Sequence, residues 1–365
     1  MSASTSSKPR IHFLSPLRIV MFLAVVWNHA EGFARARTAD DPIAEVVLSL
    51  SPEGRFLFIT ITAFLIARSA SSSSAVKRVI VIAWPFLVWS VLYTGVEVVA
   101  NGPGVGGVGS VVLSILTGSA APHLYFVIVT IQLTLLAPLI QFLARLGRRA
   151  QAVLVVLAAV AQLAVVALDL VIAPTGFPVG WLCVAYPLWV IGGAVLAANL
   201  ELATTWFRAH VVHLIVGLAV FGAGYIGIAT STQDPGAFGT DLLLRELRSV
   251  WNVLFGLAVV ATCMQLVAST GRWSEMAKRA GERMQDLGYG LFLAHELFLH
   301  GLATALAPVS GPVPFALLTL VLSVGVVVGT LGFVVVVRRT PLSWSLTGRP
   351  MQRRVTRAPA LVTRA

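Results

Sequence analysis

Short polar segments divide the chain into apolar stretches that are each about long enough to cross a bilayer. A spanning helix needs about 20 predominantly apolar residues. We count ten such stretches, at residues 14–33, 54–70, 79–100, 123–143, 151–172, 181–199, 211–229, 249–269, 288–307 and 314–337. They predict an all-α polytopic membrane protein with about ten transmembrane helices.

The composition supports a membrane protein and argues against several other classes. Charged residues make up 11% of the chain and the mean hydropathy is +0.88, whereas soluble domains carry about 25% charged residues. The net charge of +11 could suggest nucleic-acid binding, but the basic residues are not grouped in a soluble domain. Cys183 and Cys263 lie within apolar stretches and are interpreted as small hydrophobic residues. No metal-ligand spacing is present, and the glycine-rich segment 102–109 follows no strand, which favours a loop.

The distribution of Lys and Arg predicts the orientation of the chain. With ten spans and a cytoplasmic N-terminus, 21 of the 26 basic residues fall in cytoplasmic segments, as the positive-inside rule requires. Both termini are therefore expected in the cytoplasm, and the protein in the cell (inner or plasma) membrane. We predict a disordered basic tail at 1–11, a membrane-spanning region at 12–338 and a basic cytoplasmic tail at 339–365.

The first apolar stretch contains two ionisable residues, Arg18 and His29. At about 100° and 1.5 Å per residue, their spacing of eleven places both side chains on one helix face, about 16 Å apart along the axis. Ionisable groups at such depth cost about 2–3 kcal/mol each and usually face a protein cavity. The alternative is that Arg18 extends to the lipid headgroups and His29 is a packing residue.

This Arg–His spacing resembles the signature of the acyltransferase 3 family of membrane-bound O-acyltransferases. Four later stretches agree with the family in order: GRFLFITITAFLIARSA (54–70), KRVIVIAWPFLVW (77–89), PHLYFVIVTIQLTLLAPLI (122–140) and LGYGLFLAHELFLHGL (287–302). Together the resemblance covers about residues 12 to 345. The chain departs from the family's pattern where Thr62 and Ala63 replace Ser-Gly, and where Tyr125 replaces a Trp.

The resemblance implies an O-acyltransferase that moves an acetyl or other short acyl group from acyl-CoA to a hydroxyl of a carbohydrate. The branch that acts on surface polysaccharides is the most similar. Acyl-CoA, expected to be acetyl-CoA, would be a co-substrate, with no bound cofactor or metal. The expected partners are acyl-CoA, a carbohydrate acceptor and the bilayer, without nucleic acid. The alternatives are a polytopic transporter of a polysaccharide or anionic solute that uses the same Arg and His, and a non-catalytic partner of a polysaccharide synthase.

Acyl transfer to a hydroxyl needs a base and a site for the anionic donor. Histidine suits the base because its ordinary pKa is near neutral, and the resemblance implies catalytic roles for His29 and Arg18. Arg68, Lys77 and Arg78 follow the second span and are candidates for binding the acyl donor, because guanidinium groups pair well with phosphate.

Four further polar residues are candidates for supporting the site: His123, Tyr125, His295 and Glu296. His295 and Glu296 are adjacent, so their side chains should point about 100° apart and only one should face a given cavity. Glu296 is expected to be protonated or paired with a cation such as an Arg.

Overall fold

The computed structural model describes residues 11–37, 50–69, 75–102, 108–172, 179–231, 238–269, 271–307 and 313–352. Within these ranges 87% of the residues are helical and no strand occurs. The all-α fold class is therefore confirmed. The predicted N-terminal tail lies almost entirely outside the described residues, as does most of the glycine-rich segment.

The described residues form thirteen α-helices. These are α1 (Leu14–Arg35), α2 (Gly54–Arg68), α3 (Ala75–Asn101), α4 (Val108–Thr117), α5 (Tyr125–Leu135), α6 (Ala137–Arg145), α7 (Arg148–Ile172), α8 (Pro187–Ala198), α9 (Leu200–Ser231), α10 (Phe238–Ala268), α11 (Arg272–Ala305), α12 (Phe315–Val337) and α13 (Ser343–Thr347). Two short 3₁₀ turns, Val179–Trp181 and Cys183–Ala185, precede α8.

Six of the described helices are long and apolar enough to cross a membrane: α1, α3, α7, α9, α10 and α12. A seventh crossing is possible through α5 and α6, which are bent by 61° relative to each other. Pro138 near the start of α6 explains the break, because proline cannot continue the hydrogen bonding of the preceding helix. The expected count of about ten spans stays a prediction, as does the orientation of the termini.

The other predicted spans differ in form from regular crossings. α2 has 15 residues and α8 has 12, which is short for a bilayer. α11 has 34 residues, because the basic segment expected between two spans is helical and continues into the apolar stretch. α10 likewise begins at Phe238, within the segment that the sequence suggested was a loop.

α1 lies at the centre of the bundle. It packs against α11 and α12 on one side and α2 on the other, and Leu17 and Met21 are almost completely buried. The contact with α11 is close because Gly281 lies against Ser15: a Cβ at Gly281 would be 2.0 Å from the Cβ of Ser15. Small residues of this kind let two helix backbones approach within a membrane protein, and here they bring α11 alongside α1.

The chain returns to the bundle after α12. Trp344 of α13 stacks on Trp84 of α3 at a centroid distance of 5.7 Å, and the indole of Trp89 donates to the carbonyl of Leu346 at 2.9 Å. Arg338, which is almost fully buried, donates to Asp286 of α11 at 2.7 Å. The first part of the expected C-terminal tail therefore packs against α3 and α11.

Candidate active site

Three imidazoles and one carboxylate meet at one end of α1. They belong to His29 of α1, His123 just before α5, and His295 and Glu296 of α11, and we call this group the histidine cluster. The Nδ1 of His29 is 3.5 Å from Oε2 of Glu296, and the Nε2 of His295 is 3.8 Å from the same oxygen. The ring of His295 lies 5.3 Å from that of His29 and 4.6 Å from that of His123, between centroids. The cluster thus joins residues that are more than 260 positions apart in the sequence.

A tight turn before α5 positions His123. Gly118 has φ +71°, a conformation that residues with a Cβ rarely adopt. A Cβ at Gly118 would also lie 2.9 Å from the backbone nitrogen of Tyr125. Glycine therefore lets the chain fold back on itself here, and His123 is placed, buried, against Phe292 of α11 at 5.2 Å between ring centroids.

Tyr93 of α3 forms hydrogen bonds to the turn of α11 that carries His295 and Glu296. Its hydroxyl donates to the carbonyl of Leu293 at 2.8 Å and accepts from the N–H of Leu297 at 3.1 Å. These two backbone groups are partners in a regular helix, and the Tyr93 hydroxyl bonds to both of them.

His295 and Glu296 converge with His29 although they are adjacent in the sequence, but neither lines the described cavity beside His29. The expectation that only one of them faces a given cavity therefore stays a prediction. Both have atoms within 4.8 Å of the His29 ligand atom, on the turn of α11 to which Tyr93 binds. The carboxyl group of Glu296 lies beside imidazoles, including that of His300 at 3.7 Å. Its expected protonation or pairing with a cation such as an Arg stays a prediction.

A cavity of about 240 Å³ opens beside His29, whose side chain is 23% exposed. His123 and Phe292 form its inner wall. The start of α2 and the start of α5 complete the lining, through Glu53, Gly54, Arg55, Phe58, Tyr125 and Phe126. His295 and Glu296 are buried behind this wall. A substrate in the cavity would therefore meet His29 first.

A second, larger cavity of about 720 Å³ shares Glu53 and Arg55 with the first. Its lining is strongly polar and includes Arg35, Gln162, Asp169, Tyr186, Tyr225, Asp241, Arg245, Arg248 and Asn252. Several of these charges are paired: Arg55 and Arg248 with Glu53, and Arg245 with Asp169 and Asp241. The two cavities together could accept a molecule much larger than an acyl group.

A family model described as an acyltransferase domain, that of acyltransferase 3, matches residues 11–338. This is most of the chain. The chain belongs to the acyltransferase 3 family. It is therefore an acyltransferase and a multi-pass membrane protein, and the match does not favour the transporter alternative. No curated protein and no solved structure matches it.

In this acyltransferase, segments that carry the family resemblance meet at the histidine cluster. His29 comes from the first, Gly54 and Arg55 from the second, His123 and Tyr125 from the fourth, and His295 and Glu296 from the last. Tyr125 lines the smaller cavity and its hydroxyl accepts from Arg55 at 3.4 Å. Five of the predicted site residues are thus neighbours.

The four predicted cations of this acyltransferase lie elsewhere. Arg18 is half-buried, about three helical turns from His29, near the guanidinium of Arg349, and is not part of the lining of the 240 Å³ cavity. Arg68 donates to the carbonyl of Ala197 at 3.3 Å. The two ends of α1 therefore carry different groups, and the shared pocket for Arg18 and His29 that the spacing suggested is not the described cavity.

The last two of these cations follow α2 at the start of α3. Arg78 donates to the Ser69 hydroxyl at 3.4 Å, and Lys77 is exposed. Ser69 directly follows Arg68, so Arg68 and Arg78 are close in space as well as in sequence. The roles of Arg18, Arg68, Lys77 and Arg78 stay predictions.

Sequence reasoning missed Tyr93, Glu53 and Arg55. A signal was available for each. Tyr93 lies deep within an apolar stretch, away from the membrane interface where tyrosines usually occur. Glu53 and Arg55 are opposite charges that flank the first residue of α2. Only the fold reveals that all three surround the same imidazoles.

Proposed function

We propose that this acyltransferase moves an acetyl or other short acyl group from acyl-CoA to a hydroxyl of a carbohydrate, with His29 as the general base. The observation that carries the proposal is the position of His29. Its imidazole forms part of the wall of a cavity, while its Nδ1 lies 3.5 Å from the buried carboxylate of Glu296. A general base must be accessible to the substrate and oriented by a neighbouring group. His29 meets both conditions, because its imidazole lines the cavity and its Nδ1 lies beside Glu296.

The proposed reaction uses His29 to activate the acceptor. Its neutral imidazole takes the proton of the acceptor hydroxyl while the hydroxyl oxygen attacks the thioester carbonyl carbon. The carbon–sulfur bond then breaks, and the imidazolium returns the proton to the leaving thiolate of CoA. The products are an ester and free CoA, and no other reactant is consumed. A two-step route in which His29 carries the acyl group is the variant that the same geometry permits.

Glu296 is the proposed orienting group. A carboxylate beside Nδ1 favours the tautomer in which Nδ1 carries the proton and Nε2 is free to act as the base, and it stabilises the imidazolium that forms. The distance of 3.5 Å is longer than a hydrogen bond. Such contacts often shorten when the substrate is bound, so we expect the pair to close in the reacting complex.

Arg18, Arg68, Lys77 and Arg78 are proposed to bind the donor at the other end of α1. Arg18 and His29 are separated by about 16 Å along the helix. A donor that spans this distance must be elongated, with its phosphates far from its thioester, and acyl-CoA has that shape. The positive-inside rule puts these cations on the cytoplasmic side, where acyl-CoA is made.

The 720 Å³ cavity is proposed as the site of the carbohydrate acceptor. Its tyrosine hydroxyls, amides and paired charges offer both donors and acceptors of hydrogen bonds, which suits a molecule with many hydroxyls. Glu53 and Arg55 line both this cavity and the one beside His29. The cavity would face away from the cytoplasm in the cell membrane, as modification of a surface polysaccharide requires.

The test is acyl transfer by membranes that contain the protein, supplied with acetyl-labelled acetyl-CoA and candidate glycans. We expect label in the glycan with the wild-type protein, and a loss of about 100-fold or more in the rate with His29→Gln, since general-base catalysis contributes about 10²–10⁴. His213→Gln is the matched control, because His213 is an exposed histidine of α9. Equal transfer by wild type and His29→Gln would refute the mechanism.

A further inference from the structure

We propose that His29, His295 and Glu296 form a binding site for a divalent transition-metal ion such as Zn²⁺. Their candidate ligand atoms, one from each residue, all lie within 4.8 Å of one another. Two imidazoles and a carboxylate are a ligand set that Zn²⁺ accepts. The residues come from two helices, at sequence positions whose spacing gives no sign of a metal site.

The hydrogen bonds of His295 indicate that something positive belongs between these groups. Its Nδ1 lies 2.6 Å from the carbonyl of Phe292, so Nδ1 carries a proton and donates it, since a carbonyl can only accept. In a neutral imidazole the Nε2 then has a free lone pair. This nitrogen is 3.8 Å from Oε2 of Glu296, and neither atom has a hydrogen-bond partner among the described residues.

Two unpaired acceptors that face each other in a buried site are unfavourable. The side chain of His295 is fully buried and that of Glu296 is 2% exposed, so bulk water does not solvate them. A proton on Nε2 would remove the conflict only by placing a charged imidazolium in a buried site. A proton on Glu296 would let the carboxyl donate to Nε2, but it would leave Glu296 no negative charge to stabilise an imidazolium at His29. A metal ion removes it more completely, because it binds both lone pairs and the nearby imidazole of His29.

The distances suit a metal ion. Zn²⁺ binds nitrogen and carboxylate oxygen at about 2.0–2.2 Å, so neighbouring ligand atoms in a tetrahedral site are about 3.4 Å apart. The two separations from Oε2 of Glu296 are 3.5 Å to His29 and 3.8 Å to His295. Movements of a few tenths of an ångström would complete these two contacts. The third pair, the nitrogens of the two imidazoles, lies within 4.8 Å, so the two rings would have to approach each other by up to about 1.4 Å to bind one ion.

The surroundings also match what metal sites require. The bond from His295 Nδ1 to a backbone carbonyl is the kind of outer contact that fixes the orientation of a metal-binding histidine. His123 offers a further imidazole, with its ring 4.6 Å from that of His295 and neither nitrogen bonded within the described part of the chain. The 240 Å³ cavity beside His29 provides a route of entry.

The consequence for activity rests on the proposed function. A metal ion on Nδ1 of His29 would occupy the nitrogen that faces Glu296 and would prevent the imidazole from taking a proton. Zn²⁺ is therefore expected to inhibit acyl transfer reversibly.

The experiment measures binding directly. The full-length protein, purified in detergent and stripped of metal with EDTA, is titrated with Zn²⁺ by calorimetry and with Co²⁺ by visible absorption. We expect one tight site per chain in the wild type, and at least tenfold weaker binding in each of His295→Gln and Glu296→Gln. His213→Gln is the matched control and should bind as the wild type does, because His213 is an exposed histidine of α9 outside the histidine cluster.

Absence of a tight site in the wild type would overturn the proposal, as would wild-type affinity in both ligand variants. Size-exclusion profiles identify a variant that fails to fold. If a variant is lost in this way, the titration of the wild type still tests whether the site exists. The two proposals fail separately. Tight binding without inhibition would refute the role of His29 as base and leave the metal site, whereas no binding combined with an inactive His29→Gln would refute only the metal site.

Discussion

The two ends of α1 differ in how their polar groups are arranged. At the His29 end, side chains from α1, α11 and the turn before α5 lie within a few ångströms of one another. At the Arg18 end, several cations lie around the helix: Arg18 lies near Arg349, while Arg68 and Arg78, which are close to each other, bond to a carbonyl and a hydroxyl. Bond making and breaking require side chains held close together, as at the His29 end. Attraction of an extended anion requires only nearby positive charge, as at the Arg18 end.

Glu296→Gln should separate the two ends most clearly. The amide keeps the size of the side chain but cannot stabilise an imidazolium, so kcat should fall by about 100-fold while the KM for acyl-CoA changes little. Steady-state kinetics with varied acyl-CoA measure both constants. An unchanged kcat would mean that the carboxylate at 3.5 Å from His29 does not assist it.

Arg18→Ala should raise the KM for acyl-CoA, whereas Glu296→Gln should lower kcat. Loss of a charge-assisted contact to the donor is worth about 2 kcal/mol, which corresponds to roughly a 30-fold increase in the KM for acyl-CoA. The kcat at saturating donor should be nearly unchanged. Arg208→Ala is the control, because Arg208 is an exposed cation of α9 that contacts Gln265. A large loss of kcat with a normal KM would place Arg18 in the chemical step instead.

Tyr93→Phe tests whether the hydroxyl that bonds to the turn of α11 bearing His295 and Glu296 matters. The variant loses the hydroxyl that contacts Leu293 and Leu297, so His295 and Glu296 should shift and kcat should fall by about tenfold. Tyr289→Phe is a matched control, because it removes another buried hydroxyl that joins α11 to α3, through the carbonyl of Ile82. If both variants lose the same activity, the effect is one of helix packing and not of the histidine cluster.

Asp286→Asn should have the smallest effect, on stability at the Arg18 end. Burial alone would raise the pKa of Asp286, but the hydrogen bond and charge of Arg338 outweigh it and hold the pKa below its ordinary value. Stability from this pair is therefore present above about pH 4 and is lost as the pH falls through the lowered pKa. We expect a decrease of a few degrees in Tm at neutral pH, about 1–2 kcal/mol.

The difference in Tm between wild type and Asp286→Asn should shrink as the pH approaches 3. Thermal unfolding in detergent at several pH values measures it. Glu275→Gln serves as the comparison, because Glu275 forms an exposed pair with Lys278 and such pairs contribute little. A constant difference across this pH range would contradict the assignment.

Sequence patterns predicted the class of the fold and part of the site for identifiable reasons. An apolar stretch long enough to cross a bilayer is expected to be helical, because a helix satisfies the hydrogen bonds of its backbone N–H and C=O groups within the segment. His29 was recognisable because an ionisable group is costly at that depth. The association of His29 with His123 and His295 depended on the family resemblance, because no rule of spacing joins residues so far apart in the sequence.

Other features depend on contacts that a linear pattern does not contain. The orientation of Glu296 involves a hydroxyl from α3 that binds the backbone of α11. The division of one predicted span into α5 and α6 required attention to Pro138. The length of α11 was missed because its first half is amphipathic and charged, and such a segment looks like a loop when only apolar length is considered.

The packing of α13 determines where this protein can be shortened. The family match stops at residue 338, but the side chain of Arg338 donates to Ser343 and to the carbonyl of Pro350, and the Trp89 indole depends on Leu346. Removal of everything after the match would strip a buried guanidinium of two acceptors and expose an indole N–H on α3. The natural boundary of the folded unit is therefore at or beyond residue 352, and expression of shorter chains should yield protein that unfolds or aggregates.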